Sequence, residues 1–97
     1  MNMQALMKQA QAMQRDITKA KEEIDNTEFT GTSSIVTVVC NGKKEIISVK
    51  ISDKEALQDV EMLEDMLMIA VNDAFKKVDL ETETKLGKYS NMMSGLM

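Results

Sequence analysis

The strongest regularity in the chain is an apolar spacing in its first quarter. Met3, Leu6, Ala10, Met13, Ile17, Ala20 and Ile24 follow one another in alternating steps of three and four. Such steps keep one helix face apolar, and over three heptads they make a continuous seam. Between the seam positions stand mainly Gln, Lys, Glu, Ala and Met, which favour helix, with no Gly or Pro before Gly31. The pattern predicts a helix over residues 2–25, about 36 Å long at 1.5 Å per residue. One apolar stripe is marginal in water, so this helix needs a surface to lie against.

The period then changes. Ile35 to Cys40 is a β-branched run mirrored by Ile46 to Ile51, with Asn41-Gly42 between them. Asn-Gly tolerates the positive φ angles of a type I′ turn, so a hairpin is expected. A two-residue loop pairs Cys40 with Lys43, Val38 with Glu45 and Val36 with Ile47. Val36, Val38, Ile47, Val49 and Ile51 then share the core face, and Thr37, Ser48 and Lys50 the other. A short strand near Glu28 to Thr30 can join the sheet, with the chain turning over Gly31 to Ser34. Two or three strands are not stable alone, so helices must cover them.

A second long helix follows. Ser52 or Asp53 can cap it, and Val60, Leu63, Leu67, Ala70 and Ala74 repeat the three–four spacing, widened by Val71 and Val78. Met68 and Phe75 lie one heptad apart on the opposite face, which points to burial on two sides and a second subunit as the further contact. Lys85 followed by Gly87 reads as a helix stop. The expected organisation is α+β: one helix–sheet–helix domain over residues 1–87 and a flexible tail over 88–97, assembled as a homodimer.

Composition narrows the function classes. The 97 residues suffice for one domain with a thin core; ten are Met and three aromatic, so the core is aliphatic and its surface deformable. A single Cys40 allows no intrachain disulfide and no Cys-based zinc site. No histidine is present, which removes the usual general base and the commonest metal ligand. The four glycines stand singly and build no phosphate loop. Asp59, Glu61, Glu64 and Asp65 fit no calcium loop and instead complement a helix N-terminus. No enzyme, cofactor, metal or small-molecule substrate is expected. The first residues do not resemble a signal peptide, and the longest apolar run, Met66 to Val71, cannot span a bilayer. A cytoplasmic protein without membrane contact is expected.

Charge is unevenly placed. The net charge is −4, yet residues 1–21 carry four basic groups against the one acid Asp16, and residues 22–28 carry four acids and no base. Lys8, Arg15 and Lys19 fall within about 40° of one another on the first helix, opposite the seam. Gln4, Gln11 and Gln14 flank them with amides able to bond phosphate or base edges. This order opposes the helix dipole, so helix stability alone does not account for it. Two classes of function suit it: a nucleic-acid contact needing two copies of the helix, or an interaction module whose Met-rich helices engage a protein and no DNA.

Several segments together resemble the YbaB/EbfC family of bacterial nucleoid-associated proteins. They are Leu6-Met7-Lys8-Gln9-Ala10-Gln11-Ala12-Met13-Gln14, Glu28-x-Thr30-Gly31, Asn41-Gly42, Met62-Leu63-Glu64-Asp65 and Val71-Asn72-Asp73-Ala74. The chain departs from the family where Ser52-Asp53 replaces a common Asp-Pro step. The resemblance implies a homodimer whose helices project as arms gripping double-stranded DNA with little sequence preference, organising the nucleoid and affecting gene expression. On that reading Lys8, Arg15 and Lys19 contact phosphate, with Lys21, Gln4 and Gln11 beside them and Lys85 and Lys88 as further candidates.

Overall fold

A computed structural model describes residues 2–96. The order is α1 (Met3–Asp25), β1 (Phe29–Ser33), β2 (Val36–Cys40), β3 (Ile46–Ile51), a 3₁₀ turn (Lys54–Gln58) and α2 (Val60–Leu96). The strands form one antiparallel sheet in the order β1-β2-β3. The helix–sheet–helix α+β fold expected from the spacing is the one observed. Its radius of gyration is 19.4 Å, against about 13 Å for a compact chain of this length. The principal extents of 70 × 22 × 13 Å give the reason. The helices run on well beyond the sheet.

α1 begins where Asn2 accepts the Gln4 backbone N–H on its side chain, 3.0 Å away, and ends at Asn26, whose N–H returns to the Glu22 and Ile24 carbonyls. Burial grows along its seam. Met3 and Leu6 are exposed, Met13, Ile17 and Ala20 half-buried, and Ile24 buried in the core.

The core has two adjoining clusters. Ile24, Phe29, Cys40, Ala74 and Val78 form one, bordered by Phe75 and Leu86. Val36, Val38 and Ala70 form the other, bordered by Ile35, Ile51, Leu63, Met66, Leu67 and Val71. The first half of α2 thus lies on β1 and β2. The contact is unusually close at Gly31, where a Cβ would sit 2.1 Å from the Ala70 carbonyl oxygen and 2.4 Å from the Ala74 nitrogen. Gly31 has no positive φ, so it is required for proximity and not for backbone freedom. The outer edge of β1 is held by α2 as well. Thr32 N–H donates to the Asp73 carboxylate at 3.1 Å, and Lys77 donates to the Thr30 carbonyl at 2.6 Å.

The β2–β3 hairpin differs from expectation. Val36 pairs with Ile51 and Val38 with Val49, a register four residues away from the expected one, with an irregularity at Val39/Cys40. Asn41-Gly42 makes no two-residue turn. The Asn41 side-chain oxygen accepts the N–H groups of Lys43 and Glu45, at 2.9 and 3.1 Å, and so organises a longer loop. Positive φ falls on Lys44, at 61°, and not on Gly42. The tight hairpin is the earlier one: Ser33 pairs with Val36 across Ser34-Ile35, with Ser34 at φ 51°. Ile35 therefore turns the chain, and β1 runs on through the expected turn at Gly31.

Burial of the expected core face is divided. Val36 and Val38 are fully buried and Ile51 half-buried, but Ile47 is 52% and Val49 47% exposed. α2 spans β1 and β2 and leaves β3 uncovered except at Ile51, and Ile46 is also open. Phe75 is not on a solvent face but half-buried against the first cluster, while Met68 is exposed.

α2 starts later and ends later than its sequence signals suggest. Ser52 donates to the Ile35 carbonyl instead of capping, and Asp59 caps α2 by accepting the Met62 N–H at 3.1 Å. Gly87 does not stop the helix, because it does not adopt positive φ, and Leu86 and Tyr89 on either side lie along α1. The tail expected to begin at Lys88 is helical through Leu96.

Gly31→Ala should lower stability by roughly 1–3 kcal/mol or more through overpacking, read by urea unfolding; a wild-type midpoint would refute the close contact. The Asp73 carboxyl is held below its ordinary value chiefly by the Thr32 N–H, with Lys77 and Lys76 adding and desolvation opposing. Its stabilisation is therefore present above the unfolded value and lost as pH falls through the folded one. Asp73→Asn should show a smaller loss of stability than wild type between roughly pH 5 and pH 3, and parallel pH profiles would contradict that coupling.

Candidate nucleic-acid interface

α1 leaves the sheet at Ile24 and lies antiparallel to the second half of α2. Ile24 and Lys21 lie beside Thr82 and Leu86, and Met13 and Asp16 beside Tyr89. Lys85 ties the two helices, 3.8 Å from Glu23 across the pair and 3.7 Å from Glu81 on its own helix. The N-terminal part of α1 has less cover: Met3 is 73% and Met7 60% exposed. The two helices form an arm, and the sheet with the first half of α2 forms the body.

The outer face of that arm carries the basic residues. Lys8, Arg15 and Lys19 are exposed, and none has an acidic oxygen within 4.0 Å among the described residues. Lys8 and Lys19 are about 16 Å apart along the axis at 1.5 Å per residue. Duplex DNA carries about one phosphate per 3.4 Å of axis on each strand, so the row spans several phosphates. Lysine and arginine side chains on an exposed helix can contact phosphates and displace condensed counterions.

The remaining candidates separate. Gln4 and Gln11 are exposed next to the row, and Gln11, Gln14 and Arg15 line one shallow recess. Lys21 is exposed but about 140° away around α1, at the arm's base near Gly42 and Thr82. Lys85 is occupied by its two carboxylates and half-buried, so it serves the arm's internal cohesion. Lys88 is exposed, stands 4.9 Å from the Tyr89 ring centre, and shares a groove with Lys19, Asp16 and Glu23. The structure thus brings Lys8, Arg15, Lys19, Gln4 and Gln11 onto one surface and sets Lys21 and Lys85 apart from it.

Towards the body the sign of the charge reverses. Glu22, Glu23 and Glu28 are exposed and Asp25 half-buried, so the base of α1 presents negative charge. No group of three or more metal-ligating side chains occurs among the described residues. None of their helices is long and apolar enough to cross a membrane. The buried Cys40 thiol is pushed up by burial, with Lys44 opposing, so it is a poor nucleophile.

The sequence profile of the YbaB/EbfC DNA-binding family matches residues 1–93. The chain belongs to that family. Among its relatives is a nucleoid-associated protein of Enterococcus faecalis, 44% identical over 97% of this chain and 93% of its own length. A nucleoid-associated protein of Lactococcus lactis subsp. cremoris is also 44% identical, over 93% of this chain and 94% of its own. The crystal structure of the uncharacterized protein HP0035 from Helicobacter pylori superposes with a TM-score of 0.72 at 28% identity. That match covers 96% of this chain and 98% of the other, so the arm as well as the body belongs to the shared fold. Within the YbaB/EbfC fold, the basic row lies on the first helix; spacing alone pointed to Gly42 only as a turn residue and gave no role to Lys44, Asp73 and Lys77. For Asp73 and Lys77 the i,i+4 acid–base spacing was a visible signal.

Proposed function

We propose that this chain is a nucleoid-associated protein that binds duplex DNA through the outer face of α1, as a homodimer and with little sequence preference. The observation that carries this reading is the row of Lys8, Arg15 and Lys19, without an acidic partner among the described residues, on a helix of the YbaB/EbfC fold. Such a row contacts phosphates, which position a protein on DNA without conveying base identity. Gln4 and Gln11 add polar contacts to sugar and phosphate. Binding of this kind suits a cytoplasmic protein acting on the nucleoid and, through its packing, on gene expression.

The net charge of −4 makes two arms necessary. Three contacts from one arm give a weak complex that salt dissolves, whereas a pair of arms doubles the contacts at one stroke. A second copy also accounts for β3. Val49 stands opposite Val38 on the sheet face that α2 covers elsewhere, yet it is open, and Ile46 and Ile47 are open beside it. Residues of this type gain about 25 cal/mol per Å² when water is removed from them. Burying them between two copies places the arms on a common body.

Binding measured by fluorescence anisotropy should weaken with a log–log salt slope near −5, from about 0.9 for each of roughly six phosphates. Reversing Lys8, Arg15 and Lys19 together to Glu should abolish it while the dimer persists. A triple variant that binds like wild type would sink the assignment, and no saturable binding by wild type at low salt would sink the function itself. Ile47→Glu with Val49→Glu should yield monomers by light scattering and weaken DNA binding in parallel. A dimer surviving both changes would move the interface off β3.

A further inference from the structure

The base of the arm meets the body at a close backbone-to-backbone contact that the DNA reading does not use. Gly42 lies against the last turn of α1. A Cβ there would fall 2.0 Å from the Ile24 carbonyl oxygen, 2.4 Å from its carbon and 2.8 Å from the Asp25 nitrogen. All three atoms are backbone, so no side chain can swing aside. Gly42 has no positive φ, hence the loop itself would accept alanine.

The loop is held from several sides. Asn41 accepts the N–H groups of Lys43 and Glu45 and donates to the Glu45 carboxylate at 3.2 Å. Its own backbone N–H bonds the Glu45 carbonyl, and its carbonyl accepts Lys44 N–H, each at 3.0 Å. Lys44 then fixes the loop to α2, 2.9 Å from Asp79 and 5.7 Å from the Phe75 ring centre. On the other side, Ile24 is packed among Phe29, Cys40, Ala74 and Val78. A loop pinned to α2 pressing on a helix end pinned in the core is a fulcrum. Lys8 lies about 24 Å out from Ile24 along α1 at 1.5 Å per residue, so a small displacement at the base is enlarged at the basic row.

We infer that Gly42, held on the Asn41–Glu45 loop against the Ile24 carbonyl, sets the angle at which α1 leaves the body and is a positioning residue for DNA binding. The inference rests on the reading of α1 as the DNA-contacting helix. Gly42 touches no DNA itself. Its lack of a side chain lets the arm settle where the basic row meets phosphates, and adding a methyl group should swing the row out of place without altering any charge.

The test uses the full chain with nitroxide labels at Ala5→Cys, exposed on α1 and outside the basic row, and Lys50→Cys, diluted with unlabelled protein so that only distances within one chain are read. Cys40 is fully buried and stays unlabelled. Gly42→Ala should shift the Ala5–Lys50 distance by several ångström, weaken DNA binding about ten-fold and reduce the salt slope by about one contact per arm. Gly87→Ala is the control: its Cβ would meet only the Glu83 side chain, at 3.8 Å, so distance and affinity should match wild type. An unshifted distance in Gly42→Ala overturns the inference, and so does a shifted distance with wild-type affinity and slope. If Gly42→Ala does not fold, Lys44→Met decides instead. Releasing the loop from Asp79 and Phe75 should broaden the distance distribution, and an unchanged distribution overturns the fulcrum. A wild type that binds no DNA would defeat the DNA reading, while the distances would still report whether Gly42 sets the arm.

Discussion

Where β1 crosses α2, Gly31 lies so near the helix that a methyl group would overlap the Ala70 carbonyl and the Ala74 nitrogen. That closeness organises the body. It needs small residues on both sides, which Gly31, Ala70 and Ala74 supply, and it brings the outer edge of β1 within reach of Asp73 and Lys77. An edge strand whose N–H and carbonyl groups are satisfied by a helix is no longer open to foreign strands. With β1 fixed, Val36 and Val38 on β2 fall under α2, and β3 lies beyond its cover. Only the first half of α2 is used in this way. The second half is left to pair with α1, so body and arm share one continuous helix of 37 residues.

Much of this was legible in the sequence, because helices announce themselves through long repeats. The Met3-to-Ile24 seam located α1 to within a residue of Met3–Asp25. The hairpin was less legible, since Asn-Gly is as good at anchoring a longer loop through the Asn side chain as at making a tight turn. The register moved by four residues, an even number, so Val36, Val38, Val49 and Ile51 still share one face. What spacing could not reveal was which part of that face α2 covers. Glycine was ambiguous three times over: Gly31 and Gly42 serve close approach, and Gly87 is ordinary helix.

The candidate interface was readable for a simpler reason. Residues on an exposed helix need no partner to be placed, so a 100° wheel sufficed to put Lys8, Arg15 and Lys19 together. Such a wheel says nothing of Lys85, because its role depends on Glu23 from another element. Helix-surface chemistry is local; ion pairs across helices are not. The acids that neutralise the arm's base also fall into place. Glu23 and Glu81 receive Lys85, and Asp79 receives Lys44, so part of the chain's acidity is spent on holding the arm together.

The uncovered residues of the third strand have a consequence for the isolated chain. A free edge with Ile46, Ile47 and Val49 open to water is a template for whatever strand arrives first. Dilution is then a hazard and abundance a safeguard: a chain surrounded by copies of itself meets a matching edge before a foreign one. Under the proposed pairing of two copies, stability is not a property of one molecule but rises with its concentration. A protein kept plentiful in the cell can tolerate an edge that a scarce one would have to block.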